Sequence, residues 1–331
     1  MRGLFLFTIT GVAAVAQTWI TMGSGGSIGT SAEGAVEFKY QLGSKQFAVA
    51  VTPADDLMAA MKSLRFRAKT DHDTTVGVLL SERKPGGGNY VALFWSPANV
   101  WQTIEFTPRD FDISDGPTDP VDADGKLDLD QVEGIAMFDM SHFLEGVAHR
   151  DKIVVTKSTG AHTMLIDNFE VRGNAPAVKE NVIDAFDRGF LQWLSPGGMT
   201  LKFVPETGPL GEPSLKASYT ETSGPYAFAV RRVGNLNLSK AKHLAFDIAS
   251  ENEATILVAL ETKQGGRYHL TIYPPAGRKV FPVDLSFDDF ERESAEGPAK
   301  FDPSRWKSIA ISDVSGGNNA NTYWLGNLRV K

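Results

Sequence analysis

The sequence predicts an all-β protein built from two tandem jelly-roll β-sandwiches. Three observations lead to this fold class. The chain has 331 residues, about twice a common domain length, and its 32 glycines and 17 prolines imply many turns. Apolar and polar residues alternate over short runs, as they do in strands. A set of these runs also occurs twice along the chain in the same order.

The alternation is clearest over residues 255–261, which read TILVALE. Ile256, Val258 and Leu260 point to one side of a strand, and the residues between them point to the other side. Clusters of Gly, Pro, Asn and Asp separate such runs. Helical periodicity is scarce, and it predicts only a short helix within 54–64 and one turn at 128–132 that begins at Asp128.

The internal repeat is carried by six segments in each half of the chain. In chain order the pairs are 44–51 with 223–230, 64–80 with 244–260, 90–95 with 268–273, 104–111 with 283–290, 129–139 with 303–313, and 164–171 with 323–330. The gaps between them fall at turn-like positions. Six pairs in one order predict two homologous domains.

We therefore predict β-sandwich domain one over residues 17–173, a linker over 174–181 and domain two over 182–331. Residues 1–16 have the layout of a secretory signal peptide, with one arginine, an apolar run and an Ala-Val-Ala end. The run is too short to span a membrane in the mature chain, so we expect a secreted, periplasmic or cell-surface protein without a membrane span. The alternative is that Leu4–Ile9 is the first strand of a domain.

Composition excludes several kinds of site. The net charge is −7 and no basic cluster exists, which argues against a nucleic-acid partner. The chain has no cysteine, and its six histidines show neither H-x-x-x-H nor HExxH spacing, so the sequence offers no support for a zinc site. GGSIG at 25–29 matches a nucleophile elbow around Ser27, but no strand and helix flank it. These observations predict that the protein is not an enzyme.

The second half carries a family resemblance in VIDAFDRGFLQW, LNLSKAKHLAFDI, FPVDLSFDDF and YWLGNLRV. This layout resembles the galactose-binding-like β-sandwich domains of family eleven carbohydrate-binding modules and of the complex I intermediate-associated protein family. The first half resembles the same pattern in WQTIEFTPRDF and LIDNFEV. The resemblance implies a non-catalytic sandwich that binds a glycan or a protein partner, sometimes with a structural calcium.

The acidic stretch DPVDADGKLDLD at 119–130 is the place for such a calcium. It lacks the leading Asp and the bidentate acid of an EF-hand loop, so only a looser oxygen-ligand site using Asp122, Asp124 and Asp128 is predicted. The alternative is a solvated turn followed by a helix cap.

A glycan site is predicted on one strand of domain two and its neighbours. Tyr268, Leu270 and Ile272 are expected to face the core, which turns the intervening residues outward. Aromatic rings stack on sugar faces, and nearby polar side chains bind hydroxyl groups. The predicted ligand-binding residues are Arg231, Glu261, Arg267, His269 and Tyr273. The alternative is an ordinary solvated sheet face, which is also polar.

The corresponding strand of domain one carries Val91, Leu93 and Trp95 on that side. This apolar surface is expected to pack on a loop, on the other domain or on a partner. We therefore favour a secreted carbohydrate-binding protein with domain two as the glycan binder. The second hypothesis is a structural or protein-interaction protein that uses the same sandwiches for assembly or at a surface. A cryptic hydrolase is the third.

Overall fold

The computed structural model describes residues 18–43, 47–114, 119–143, 158–196, 199–220, 227–263, 265–293, 297–315 and 320–331. The signal peptide predicted over residues 1–16 lies outside these ranges. Within them the chain consists almost entirely of strands and short turns.

The described residues of the first half form eleven strands. These are β1 (Ile20–Gly23), β2 (Ser27–Thr30), β3 (Val36–Leu42), β4 (Ala48–Pro53), β5 (Ser63–Thr70), β6 (Thr74–Glu82), β7 (Asn89–Ser96), β8 (Gln102–Phe106), β9 (Asp112–Ile113), β10 (Val132–Asp139) and β11 (Gly160–Arg172).

The described residues of the second half form eleven more. These are β12 (Val182–Asp184), β13 (Thr200–Val204), β14 (Ser214–Tyr219), β15 (Ala227–Arg232), β16 (His243–Ser250), β17 (Ile256–Thr262), β18 (Arg267–Ile272), β19 (Phe281–Ser286), β20 (Glu291–Arg292), β21 (Trp306–Asp313) and β22 (Asn321–Val330).

These strands build two sandwiches with the same topology. In the first, sheet A has the order β1-β4-β10-β6-β7-β9 and sheet B has the order β2-β3-β11-β5-β8. In the second, sheet C has the order β13-β14-β22-β16-β19, with β12 added to β22, and sheet D has the order β15-β21-β17-β18-β20. Sheet D repeats sheet A without β1, and sheet C repeats sheet B. The predicted class, all-β with two tandem sandwiches, is confirmed.

The core of each sandwich is made by the inward side chains of its two sheets. Ile256, Val258 and Leu260 are buried on β17, as the alternation predicted, and Val76, Val78 and Leu80 occupy the same places on β6. Burying one such side chain contributes roughly 1.5–3 kcal/mol, which makes this inward set the main source of stability.

Residues 141–143 are α-helical, and the other helical elements of the described residues are short 3₁₀ turns. They are Met58–Ala60, Pro108–Asp110, Leu129–Gln131, Phe287–Asp289 and Pro303–Arg305. The first and third lie where a helix and a helical turn were predicted. Asp128 stands at the N-cap of the third turn, but its side chain makes no capping bond there. No described helix is long and apolar enough to cross a membrane.

A short segment of domain two, residues 190–194, joins the sandwiches. Leu191 forms a β-bridge with Trp95 of β7, and Leu194 forms one with Val230 of β15. Phe190 belongs to the core of domain one, where its ring meets Phe106 edge-on at 5.6 Å. Trp95, in return, belongs to the core of domain two. Each core is therefore completed by a side chain from the other half of the chain.

Candidate functional site

The outward face of sheet D presents a polar surface. Tyr268 and Ile272 are buried and Leu270 packs against the core, as predicted, so the residues between them face outward. The sheet register pairs Glu261 with Arg267, Ala259 with His269, and Leu257 with Thr271. Because paired residues lie on the same face, Glu261, Arg267 and His269 are brought together on it.

Charges of both signs border this face. His269 pairs with Glu291 of β20 in the sheet register. The carboxylate of Glu261 accepts a hydrogen bond from Ser308 Oγ at 3.3 Å and lies 3.9 Å from Lys307 Nζ. The face is therefore polar without a dominant charge, which suits a neutral ligand rich in hydroxyl groups better than an ion.

Tyr273 lies directly after β18, at the end of the polar row. Its side chain is the most exposed aromatic ring among the large apolar residues of the described chain, with 70% of its surface accessible. An exposed ring is costly to leave in water and is well suited to stacking on the face of a sugar. Glu261, Arg267 and His269 thus remain predicted ligand residues on the outward face, and Tyr273 remains one as an exposed ring directly after β18.

The face predicted for Arg231 is wrong. The register of β15 pairs Arg232 with Ser308, and Ser308 pairs with Glu261, so Arg232 is the residue that shares the outward face. Arg231 points inward and is only 5% exposed. A shift of one residue reverses the face of a strand side chain, and the sequence of β15 alone does not show its pairing.

Arg231 belongs instead to a charged network where the two sandwiches meet, around segment 190–194; we call this interface the seam. Its guanidinium donates to Gln192 Oε1 at 2.7 Å and lies 3.6 Å from Asp184. Asp184 also accepts from Trp193 Nε1 at 2.9 Å and from the Phe186 backbone at 2.8 Å. Burial raises the pKa of Asp184 and lowers the pKa of Arg231, while their mutual attraction opposes both effects.

A second ion pair of the seam links the two domains directly. Arg188 of domain two binds both oxygens of Asp110 of domain one, with two contacts of 2.9 Å, and also donates to the Glu105 carbonyl at 2.7 Å. Burial would raise the pKa of Asp110, but the charge and hydrogen bonds of Arg188 hold it below its usual value. This network surrounds a cavity of about 360 Å³ lined by residues of both domains.

The backbones also approach closely at the seam. Gly234 has a φ of +72°, and a Cβ atom placed on it would lie 2.5 Å from the Arg109 carbonyl oxygen. The next residue, Asn235, donates its N–H to that same oxygen at 3.0 Å. Only glycine satisfies both the positive φ and the contact.

The seam explains the apolar surface predicted on domain one. Val91, Leu93 and Trp95 are all buried. Val91 and Leu93 form a cluster with Phe138, and Leu194 of domain two packs against it. Of the three predicted coverings, the other domain is therefore confirmed for the described residues.

The acidic loop folds as a hydrogen-bonded turn. Asp122 Oδ1 accepts from the backbone of Asp124 at 2.9 Å and of Gly125 at 2.8 Å, and its Oδ2 accepts from Tyr90 at 2.6 Å. Burial disfavours the charged form of Asp122, but these bonds lower the pKa of its carboxyl to about 2. The Asp128 backbone donates to Glu82, a buried acid not singled out in the sequence.

The loop therefore forms the turn that the sequence offered as the alternative to a calcium site. Asp122 stabilises this turn by accepting hydrogen bonds from its backbone. The three aspartates Asp122, Asp124 and Asp128 do not form a group with metal-ligand spacing in the described residues. Calcium binding at this loop stays a prediction. Ser27 begins the short strand β2, which pairs with β3, so the described chain around it lacks the strand–turn–helix of a nucleophile elbow.

Comparison with known proteins adds low-identity structural neighbours. No family model and no curated protein matches the sequence. The chain is similar to a family 11 carbohydrate-binding module of a Clostridium thermocellum cellulase, at 22% identity and a TM-score of 0.37, over 47% of this chain and 95% of that one. It is also similar to a family 30 carbohydrate-binding module, at 17% identity and a TM-score of 0.34, over 42% and 90%. An agarase matches at 14% identity and a TM-score of 0.37, over 46% of this chain and 26% of that one.

Proposed function

We propose that the protein is a non-catalytic glycan-binding protein whose binding surface is the outward face of sheet D. The observation that carries the proposal is the exposed ring of Tyr273 at the end of a row formed by Arg267, His269 and Glu261. The ring supplies a stacking platform, and the row supplies donors and acceptors for hydroxyl groups. We further propose that the protein acts outside the cytoplasm, as a secreted, periplasmic or cell-surface protein.

Domain two is the binder in this proposal because the two equivalent faces differ. Val91, Leu93 and Trp95 on sheet A are buried and apolar, whereas Arg267 and Tyr273 on sheet D are exposed. A neutral polysaccharide is the favoured ligand class, since acids and bases alternate across the face and no single charge dominates.

The test measures binding of the full chain to a panel of neutral polysaccharides by affinity gel electrophoresis and calorimetry. Tyr273→Ala and Arg267→Ala are each expected to weaken binding about 10-fold or more, since one aromatic contact or one charged hydrogen bond is worth about 1.5 kcal/mol. Arg65→Ala, which removes a surface arginine of domain one, and Val280→Ala, which removes an exposed apolar side chain, serve as controls.

Two results would contradict this proposal. Binding that is unchanged by both Tyr273→Ala and Arg267→Ala would exclude the outward face of sheet D. Retention of a protein partner by the wild-type chain, lost in the same variants, would favour the interaction hypothesis implied by the resemblance to the intermediate-associated family.

A further inference from the structure

Two histidines that are far apart in sequence meet in domain one. His72 lies in the turn between β5 and β6, and His162 lies on β11. Asp71 Oδ1 is 2.8 Å from Nδ1 of His72 and 3.1 Å from Nδ1 of His162, and the two rings have centroids 3.9 Å apart. One ligand atom from each of the three residues lies within 4.8 Å of the others.

The second nitrogen of each ring faces an atom that can only accept a hydrogen bond. His162 Nε2 is 3.2 Å from the Thr159 carbonyl oxygen, and His72 Nε2 is 3.0 Å from Asp139 Oδ2. Asp139 already accepts hydrogen bonds from Tyr40 and Thr74, as an ionised carboxylate does. A neutral ring that carries its proton on Nε2 has its lone pair on Nδ1, the nitrogen that faces Asp71.

In that tautomer the two Nδ1 atoms and Asp71 Oδ1 are three lone-pair atoms that face one another. Such atoms repel unless a cation lies between them. Protonation of both rings would place two positive charges 3.9 Å apart. Burial opposes the charged form of His72, but Asp139 and Asp71 raise its pKa, so a proton on this ring alone is the state that competes with a metal ion. A single metal ion satisfies all three atoms at once. Zn²⁺ with nitrogen and oxygen ligands at about 2.1 Å separates its ligand atoms by about 3.4 Å, so the distances of 2.8 and 3.1 Å from Asp71 Oδ1 to the two Nδ1 atoms would widen on binding.

Domain two shows what the fold requires at these positions. The repeat aligns Asp71 with Glu251 and His72 with Asn252, and the strand registers align His162 with Asn321. Asn321 donates to Asp313 at 3.2 Å and accepts from the Asn252 backbone at 3.1 Å. Two uncharged asparagines thus stand where domain one has two histidines, so the sandwich itself does not need imidazoles there.

We propose that Asp71, His72 and His162 bind a divalent transition-metal ion of the zinc type. Asp139 and the Thr159 carbonyl orient the two imidazoles from behind, as outer-shell acceptors do around metal-bound histidines. Asp71 has 39% of its side chain exposed, so a further coordination position would open to solvent. Two histidines, one carboxylate and a solvent molecule complete a four-coordinate set.

The experiment titrates Zn²⁺ into the metal-free full-length protein by calorimetry, with equilibrium dialysis to count bound ions. We expect one ion per chain. His72→Asn and His162→Asn copy the residues of domain two, so they should preserve the fold and lower zinc affinity at least 100-fold each. His243→Asn removes a surface histidine that lies 2.8 Å from Asp284, and it should leave the affinity unchanged.

Circular dichroism and thermal unfolding without metal establish that the variants fold. Added Zn²⁺ should raise the melting temperature of the wild type and of His243→Asn, but not of His72→Asn or His162→Asn. Absence of a one-to-one site, or equal zinc affinity in wild type and both asparagine variants, would overturn the proposal. So would NMR evidence that both rings stay protonated at neutral pH in the presence of excess zinc.

Discussion

At the residue scale, the buried charges of the seam are the features most sensitive to substitution. Asp110 is buried, and each oxygen of its carboxylate accepts a hydrogen bond from the Arg188 guanidinium. Breaking a buried pair costs more than the pair contributes, because the remaining charge is left without a partner. The surface pair of Lys300 and Asp288 offers a contrast, since both side chains are largely exposed.

We predict that Arg188→Ala lowers the free energy of unfolding by about 3–5 kcal/mol, because it leaves Asp110 buried without its partner. Chemical denaturation of the full chain measures this change. Lys300→Ala should leave the unfolding midpoint unchanged within error. Equal effects of the two substitutions would show that the Arg188 pair is not the buried interaction described above.

Asp110 also predicts a response to acid. Its pKa is lowered in the folded chain, so its contribution to stability is complete above its unfolded pKa of about 4 and is lost as pH falls toward the folded value. The stability of Asp110→Asn should fall less steeply below pH 4 than that of the wild type, by up to about 1.4 kcal/mol per pH unit. Denaturation series between pH 7 and pH 2 measure both slopes, and parallel curves would contradict the assignment.

At the element scale, segment 190–194 connects the two sandwiches through contacts with both of them. It forms β-bridges to β7 on one side and to β15 on the other, and it places Phe190 in the core of domain one. The sequence did not reveal this role, because the segment is too short to show a period and its partners are distant in the chain. Leu191, Trp193 and Leu194 could equally have belonged to one strand of domain two.

We predict that Phe190→Ala, although in domain two, destabilises domain one by about 3–5 kcal/mol through the lost packing on Phe106. The two sandwiches should then unfold in two separate calorimetric transitions, whereas the wild type should show one. Tyr273→Ala removes an exposed ring outside the cores, and it should leave the single transition intact. A single unshifted transition in Phe190→Ala would mean that the segment does not couple the domains.

At the scale of the whole molecule, one topology is used twice with different outcomes. In domain one, the outward face of sheet A is covered at Val91, Leu93 and Trp95, while the corner at Asp139 carries two histidines. In domain two, the outward face of sheet D is exposed at Arg267, and the equivalent corner at Asp313 is completed by asparagine. The repeat thus separates a proposed glycan surface from a proposed metal site.

The sequence by itself determined the fold class, the repeat and the inward residues of strands such as β17. The alternation of apolar and polar residues and the order of the repeated segments can both be read directly along the chain. The alternation also placed Glu261, Arg267 and His269 on one outward face. Only the tertiary structure decided that Arg231 turns inward and that the rings of His72 and His162 lie side by side. It also decided that Trp95 packs in the core of domain two and Phe190 in the core of domain one. Each of these depends on strand register or on contacts between distant segments, which no spacing along the chain records.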